Sequence, residues 1–249
     1  MVSPARKGAH VIGYMESDYL GTNPTNVGVS SNSNTLRSRL YWVDVQKDKW
    51  ELLAGQTWSL ITPGRMGISP LPGNIFFTQD IDVNYQAGLV WGRIPELRLV
   101  LRPTNKVAFA VALDSPEQYV GGSAGGSTIT FPTAPALSGL AGTQLNDQTS
   151  TLKTPNPAPD FIAKLALDPV SKFHFEVGGL VREFKVWNSL PPPAGTSFSK
   201  IGAGGFVNLN VELFKGIRVL TNNFSDAHLN MVFLNLRYTL PGSAPTLGK

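Results

Sequence analysis

Cysteine is absent from this sequence. Its absence excludes disulfides, thiolate zinc sites and cysteine nucleophiles. Charge is scarce as well: Asp, Glu, Lys and Arg make up 15% of the 249 residues, against about 25% in soluble domains. Long apolar runs are missing, and nothing approaches the roughly 18 consecutive apolar residues of a membrane-crossing helix. A helical membrane protein is therefore excluded. A membrane β-barrel is not, because its strands alternate and leave the mean hydropathy near zero; here it is −0.02. Blocks of Lys and Arg are missing too. The net charge of +4 is dispersed along the chain, so no nucleic-acid partner is expected. Arg6 and Lys7 precede no apolar stretch of the kind that follows them in a secretory signal. An exported chain of this sequence is expected to be a mature chain or a fragment.

Glycine (25) and proline (19) are plentiful. Gly, Asn, Ser and Thr crowd the segments between apolar runs, which is the composition of an all-β protein with many loops. Ten strand-like runs can be read: 11–20, 35–46, 49–60, 92–102, 106–114, 160–168, 172–187, 204–214, 217–222 and 229–240. Several alternate with period two. Val207, Leu209, Val211 and Leu213 oppose Phe206, Asn208, Asn210 and Glu212. Leu97, Leu99 and Leu101 oppose Glu96, Arg98, Val100 and Arg102. Val232, Leu234, Leu236, Tyr238 and Leu240 oppose Met231, Phe233, Asn235 and Arg237. In the second run, Leu36, Leu40 and Trp42 oppose Arg37, Arg39 and Tyr41.

The connections alternate long and short. Residues 21–34, 61–91, 115–159 and 188–203 are long. Lys47-Asp48, Pro103-Thr104-Asn105, Pro169-Val170-Ser171 and Lys215-Gly216 are tight. This rhythm is the plan of an up-and-down outer-membrane barrel, with 115–159 as a long extracellular loop. The direction of the apolar face stays open at this point, because alternation looks the same pointing in or out. Aromatic residues near strand ends (Tyr19, Trp50, Trp58, Trp91, Trp187, Tyr238) fit interfacial girdles. They also fit a soluble core.

Four segments then resemble a known family, the DcaP-like trimeric porins. Gly13-Tyr14-Met15-Glu16-Ser17-Asp18-Tyr19-Leu20-Gly21 is similar to its G-x-x-E-x-D-F/Y-x-G strand. Arg37-Ser38-Arg39-Leu40-Tyr41 fits its R-x-R strand. Leu53-Ala54-Gly55-Gln56-Thr57-Trp58-Ser59-Leu60 matches its L-x-G-Q-x-W-S strand best. Gly92-Arg93-Ile94-Pro95-Glu96-Leu97-Arg98 resembles its R-x-P-Q-I-R run. These motifs cover about residues 13–102. The resemblance implies an all-β, antiparallel, up-and-down transmembrane barrel in the outer membrane. It implies a homotrimer embedded in the lipid bilayer that passes small anionic solutes such as dicarboxylates. Family members are longer and close on a strand with a terminal aromatic, whereas Gly-Ser-Ala-Pro-Thr-Leu-Gly-Lys follows Leu240 here. The 249 residues are therefore expected to form one porin-like domain that is incomplete.

On that reading Arg37, Arg39, Arg98, Arg102, Lys164 and Arg182 line the pore, where rings of Arg and Lys favour anions. The plainer reading is ordinary polar positions balanced by Glu51, Glu96, Asp168, Glu176 and Glu183. Segment 61–91 is a possible constriction loop, with Arg65, Asp80 and Asp82 as its charged residues; a surface loop is the equal alternative. Catalytic chemistry finds little support. His10, His174 and His228 have no metal-ligand spacing. His174, between Phe173 and Phe175, reads as a lumen or face residue. Gly121–Ser127 is glycine-rich but lacks the Lys-Ser/Thr and helix of a phosphate loop, and there is no G-x-S-x-G elbow. Ser225, Asp226 and His228 adjoin on a turn, the wrong geometry for a triad. Neither an enzyme nor a cofactor is expected. The rival reading is a soluble β-barrel or sandwich that binds a small apolar ligand.

Overall fold

The computed structural model describes residues 8–19, 36–76, 90–116, 158–188, 196–226 and 230–238, with backbone alone at 185–188, 196–198, 226 and 230–238. Ten strands follow one another: β1 (His10–Asp18), β2 (Arg37–Lys47), β3 (Trp50–Trp58), β4 (Arg93–Thr104), β5 (Val107–Asp114), β6 (Asp160–Val170), β7 (Phe173–Asn188), β8 (Thr196–Phe214), β9 (Ile217–Asp226) and β10 (Asn230–Tyr238). They form one sheet in sequence order, β1 to β10. This is the up-and-down antiparallel plan expected from the alternating connections. By contact the chain divides into two compact units, one over Met1–Asp114, Ile162–Leu180 and Gly204–Lys249, the other over Ser115–Phe161 and Val181–Ala203.

All ten expected strands are present, with shifted edges. The largest shift is in β8, which begins at Thr196 rather than 204, so the connection before it is shorter than the 188–203 expected. The β2–β3 turn falls at Asp48-Lys49, one residue later than expected. Asp48 takes a left-handed φ of 54°, which Asp tolerates better than most side chains. Gly216 takes φ 90° in the β8–β9 turn, a conformation glycine adopts without penalty.

The two faces of the sheet have opposite chemistry to those of a soluble protein. Buried on one face lie Asp44, Glu51, Glu96, Arg98, Asp114, Lys164, His174, Glu176, Asn208, Asn210 and Asn222. Exposed on the other lie Tyr41, Val43, Leu52, Leu97, Leu99, Phe109, Leu113 and Val207. The alternation in β4 and β8 is as expected from the sequence, and its direction is now resolved: polar side covered, apolar side open. A soluble barrel holding an apolar ligand requires the reverse.

One face assignment is corrected. Leu40 and Trp42 are buried on the polar side, while Tyr41 and Val43 are exposed. The cause is a β-bulge. The register steps from Glu16 opposite Leu40 to Ser17 opposite Ser38, leaving Arg39 as the extra residue. A bulge puts two consecutive side chains on one side and reverses the alternation beyond it. Arg39 and Arg37 therefore share the covered side with Trp42, whose ring stacks on Tyr14 at 5.2 Å.

The segment after β3 packs on that covered side. Leu60, Ile61 and Ile68 cluster with Val100, Ala108, Ala110, Ala112, Ile162, Ala166 and Phe206. Alanine at every second position of β5 leaves a shallow trough, and the three large side chains fill it. Each such burial is worth about 1.5–3 kcal/mol. Ala110→Leu, at a fully buried position, is expected to destabilise by about 1–3 kcal/mol through overpacking. Urea unfolding in detergent micelles measures this, and an unchanged midpoint would mean that the trough is not filled.

Candidate functional site

The candidate site is the covered face of β2–β9 together with the segment that runs over it. Of the six basic residues expected to line a pore, five lie on this face of the first unit and Arg182 lies in the second, and each meets a carboxylate. At the ends of β1 and β2, Arg37 Nη2 is 2.6 Å from Asp18 Oδ2, and Arg39 bridges Glu16 at 2.6 Å and Asp18 at 2.8 Å. On β4, Arg98 pairs with Glu96 and also donates to the Trp58 carbonyl at 2.7 Å. Arg102 Nη1 is 2.7 Å from Glu51 Oε2, and its Nη2 donates to the Ile68 carbonyl at 2.6 Å. On β6, Lys164 Nζ is 3.0 Å from Glu176 Oε2 and donates to the Thr62 carbonyl at 2.9 Å. In the second unit, Arg182 pairs with Asp160.

These six are not equivalent. The side chains of Arg98 and Lys164 are only 2% and 3% exposed, beneath the segment they hold. Arg102 and Arg182 remain 35% and 20% exposed, over carboxylates that are 0% and 1% exposed. In those two pairs the accessible member is the guanidinium.

Of the expected constriction loop 61–91, residues 61–76 and 90–91 are described; Asp80 and Asp82 lie outside the described residues. Residues 59–76 are pinned along the covered face. The Ser59 hydroxyl donates to Asp114 Oδ2 at 2.7 Å, and Thr57 Oγ1 donates to the Pro70 carbonyl at 3.4 Å. Gly64 N–H donates to Glu176 Oε1 at 3.1 Å, and Gly67 N–H to Asp168 Oδ2 at 2.8 Å. The segment turns back on itself through a bridge between Gly64 and Ile75. This brings the Arg65 guanidinium 4.1 Å from the Phe76 ring centre, with Arg218 5.8 Å from the same ring. Arg102 and Asp168 sit beside the tight turns of their strands. The tip at Gly67-Ile68 therefore reaches the end of the sheet opposite to the one from which the segment departs.

The glycine of the Leu53–Leu60 motif has a structural reason. Gly55 has φ 134°, and a Cβ there would meet the Tyr41 carbonyl at 2.3 Å. Gln56 beside it donates to the Arg39 carbonyl at 2.7 Å. The motif thus ties β2, β3 and the root of the segment together.

Sequence reasoning missed three participants. His174 is buried, with Nδ1 2.7 Å from Asp168 Oδ1 and Nε2 3.1 Å from Glu176 Oε1. Asp114 faces Glu96 directly across β4 and β5. Arg218 donates to Asn210 at 2.6 Å and to Glu212 at 3.0 Å. Counting from the tight turn at Lys215-Gly216 would set Leu213 opposite Arg218; a register shift between Glu212 and Phe214 instead brings Glu212 opposite Arg218, a pairing of opposite charges that the sequence did not signal. Among the described residues no group of three or more His, Asp and Glu could hold a metal ion. Gly121–Ser127 and His228 lie outside the described residues.

No family model matches the chain, and no curated protein matches it. Its fold is similar to the crystal structure of the outer membrane channel DcaP of Acinetobacter baumannii, with a TM-score of 0.57 and 16% sequence identity. The match covers 92% of this chain and 51% of that one, so this chain spans about half the length of the channel. The four sequence motifs and the backbone thus point to the same relative, and the chain has the all-β, up-and-down fold of an outer-membrane channel.

Proposed function

We propose that this chain is the wall of a porin-type channel in the outer membrane of a Gram-negative bacterium, passing small solutes by diffusion and not catalysing a reaction. The observation that carries this reading is the inversion of the sheet. Ion pairs and asparagines are covered on one side, and Leu, Val, Phe and Tyr are open on the other. Water rewards the reverse arrangement, whereas a bilayer around a polar lumen rewards this one.

The solutes are small anions such as dicarboxylates, and the working form is a homotrimer. Support for anion preference comes from Arg102 and Arg182, each partly exposed above a buried carboxylate. A guanidinium fork suits a carboxylate solute. Segment 61–91 forms the constriction, with Arg65 in its described part and Asp80 and Asp82 outside it. Planar-bilayer conductance of the refolded chain tests this, with heat-modifiable gel migration as the check on folding. Stepwise currents with an anion-selective reversal potential are expected. A folded, heat-modifiable protein without current would overturn the channel, and a cation-selective reversal potential would overturn the solute class.

A further inference from the structure

We propose that His174 is the positioning residue that keeps segment 59–76 seated, and that its loss releases the segment from the covered face. The proposal deepens the channel reading, since a released segment would widen the path.

Four contacts hold the middle of the segment: Lys164 to the Thr62 carbonyl, Arg102 to the Ile68 carbonyl, Gly64 N–H to Glu176 and Gly67 N–H to Asp168. The two carboxylates among these anchors are bridged by one imidazole, at 2.7 Å and 3.1 Å. Nδ1 hydrogen-bonds Asp168, whereas Nε2 stands 3.1 Å from Glu176 Oε1 without hydrogen-bond geometry; a neutral ring would set its lone pair against that carboxylate oxygen, so the charged imidazolium suits both contacts. Glu176 has further support, from Lys164 at 3.0 Å and Asn208 at 3.0 Å. Asp168 does not: among the described residues, His174 is the only cationic group that touches it. Remove the imidazolium and the Asp168 carboxylate, covered and without a countercharge, gains more from water than from one backbone amide. Hydrating it draws it off Gly67, at the far end of the segment.

The absence of cysteine makes a single-cysteine test clean. Thr62 is buried, and its hydroxyl has no hydrogen-bond partner among the described residues. Thr62→Cys therefore places a thiol under the seated segment with little disturbance. Its reaction with a membrane-impermeant thiol reagent is expected to be slow in the otherwise native chain and at least about tenfold faster with His174→Ala. With His174→Arg, which restores a permanent charge and several donors, the slow rate is expected to return. Slow labelling with His174→Ala would overturn the proposal, and so would fast labelling with His174→Arg. Should His174→Ala give no heat-modifiable band, His174→Gln gives the same readout with less loss of volume; fast labelling is again expected, and slow labelling again overturns the proposal. In bilayers, His174→Ala is expected to raise the single-channel conductance. If the labelling pattern holds while no variant conducts, the channel reading fails and the positioning role of His174 stands.

Discussion

Replacing Arg98 with methionine is expected to destabilise the folded protein by about 3–5 kcal/mol, the usual cost of removing one partner from a buried ion pair. Arg98 is almost wholly buried and pairs with Glu96, which faces Asp114 across the sheet. Without the guanidinium, the covered Glu96 carboxylate loses its countercharge while it faces Asp114. The Trp58 carbonyl loses its donor as well, loosening the root of the inward segment. The double substitution Arg98→Met/Glu96→Gln is expected to recover at least half of the loss, because it removes the uncompensated charge as well as the cation. Urea unfolding in detergent micelles decides the matter. A loss below about 1 kcal/mol for Arg98→Met, or a double variant no better than the single one, would show that the pair carries no weight.

The neighbouring position gives the second large effect, with the opposite substitution. Leu99 points to the open face and is 39% exposed. An arginine there would face hydrocarbon near the middle of the span, at a cost of about 2–4 kcal/mol. In a soluble barrel the same substitution on an exposed side chain would be close to neutral. Leu99→Arg folded into lipid vesicles therefore separates the membrane reading from the soluble one: an unchanged stability would remove the membrane. Leu209 and Val211 lie on the same face of β8 and are expected to behave likewise. Leu234 and Leu236 have side chains outside the described residues. Positions 98 and 99 are thus expected to demand opposite chemistry one residue apart, which is what a two-sided wall requires.

The four motifs that resemble the porin family lie apart in the sequence, yet the structure joins them pairwise. Glu16 and Asp18 of the first motif hold Arg37 and Arg39 of the second. Gln56 of the third reaches the Arg39 carbonyl, and Arg98 of the fourth reaches the Trp58 carbonyl. Spacing could identify each motif. It could not reveal the bonds, because partners 17 to 40 residues apart meet only after register is set. The bulge at Arg39 shows how much depends on that register. Strict alternation placed Leu40 and Trp42 opposite the arginines, and a single extra residue brought all four to one side.

What the sequence determined by itself was the number of strands, their order and the rhythm of their connections, since period-two alternation and turn residues are local signals carried by neighbours in the chain. It also excluded disulfides and membrane-crossing helices outright. Only the tertiary structure decided which way the faces point, because an apolar stripe reads the same toward a core or toward lipid. Only the tertiary structure seated residues 59–76 in the alanine trough and paired each of the six cations with an acid. His174 is the sharpest case: between two phenylalanines it reads only as a lumen or face residue, and the fold sets it against Asp168 and Glu176, which hold the backbone amides of Gly67 and Gly64. The two amide–carboxylate contacts span more than a hundred residues of chain, and no local pattern records them.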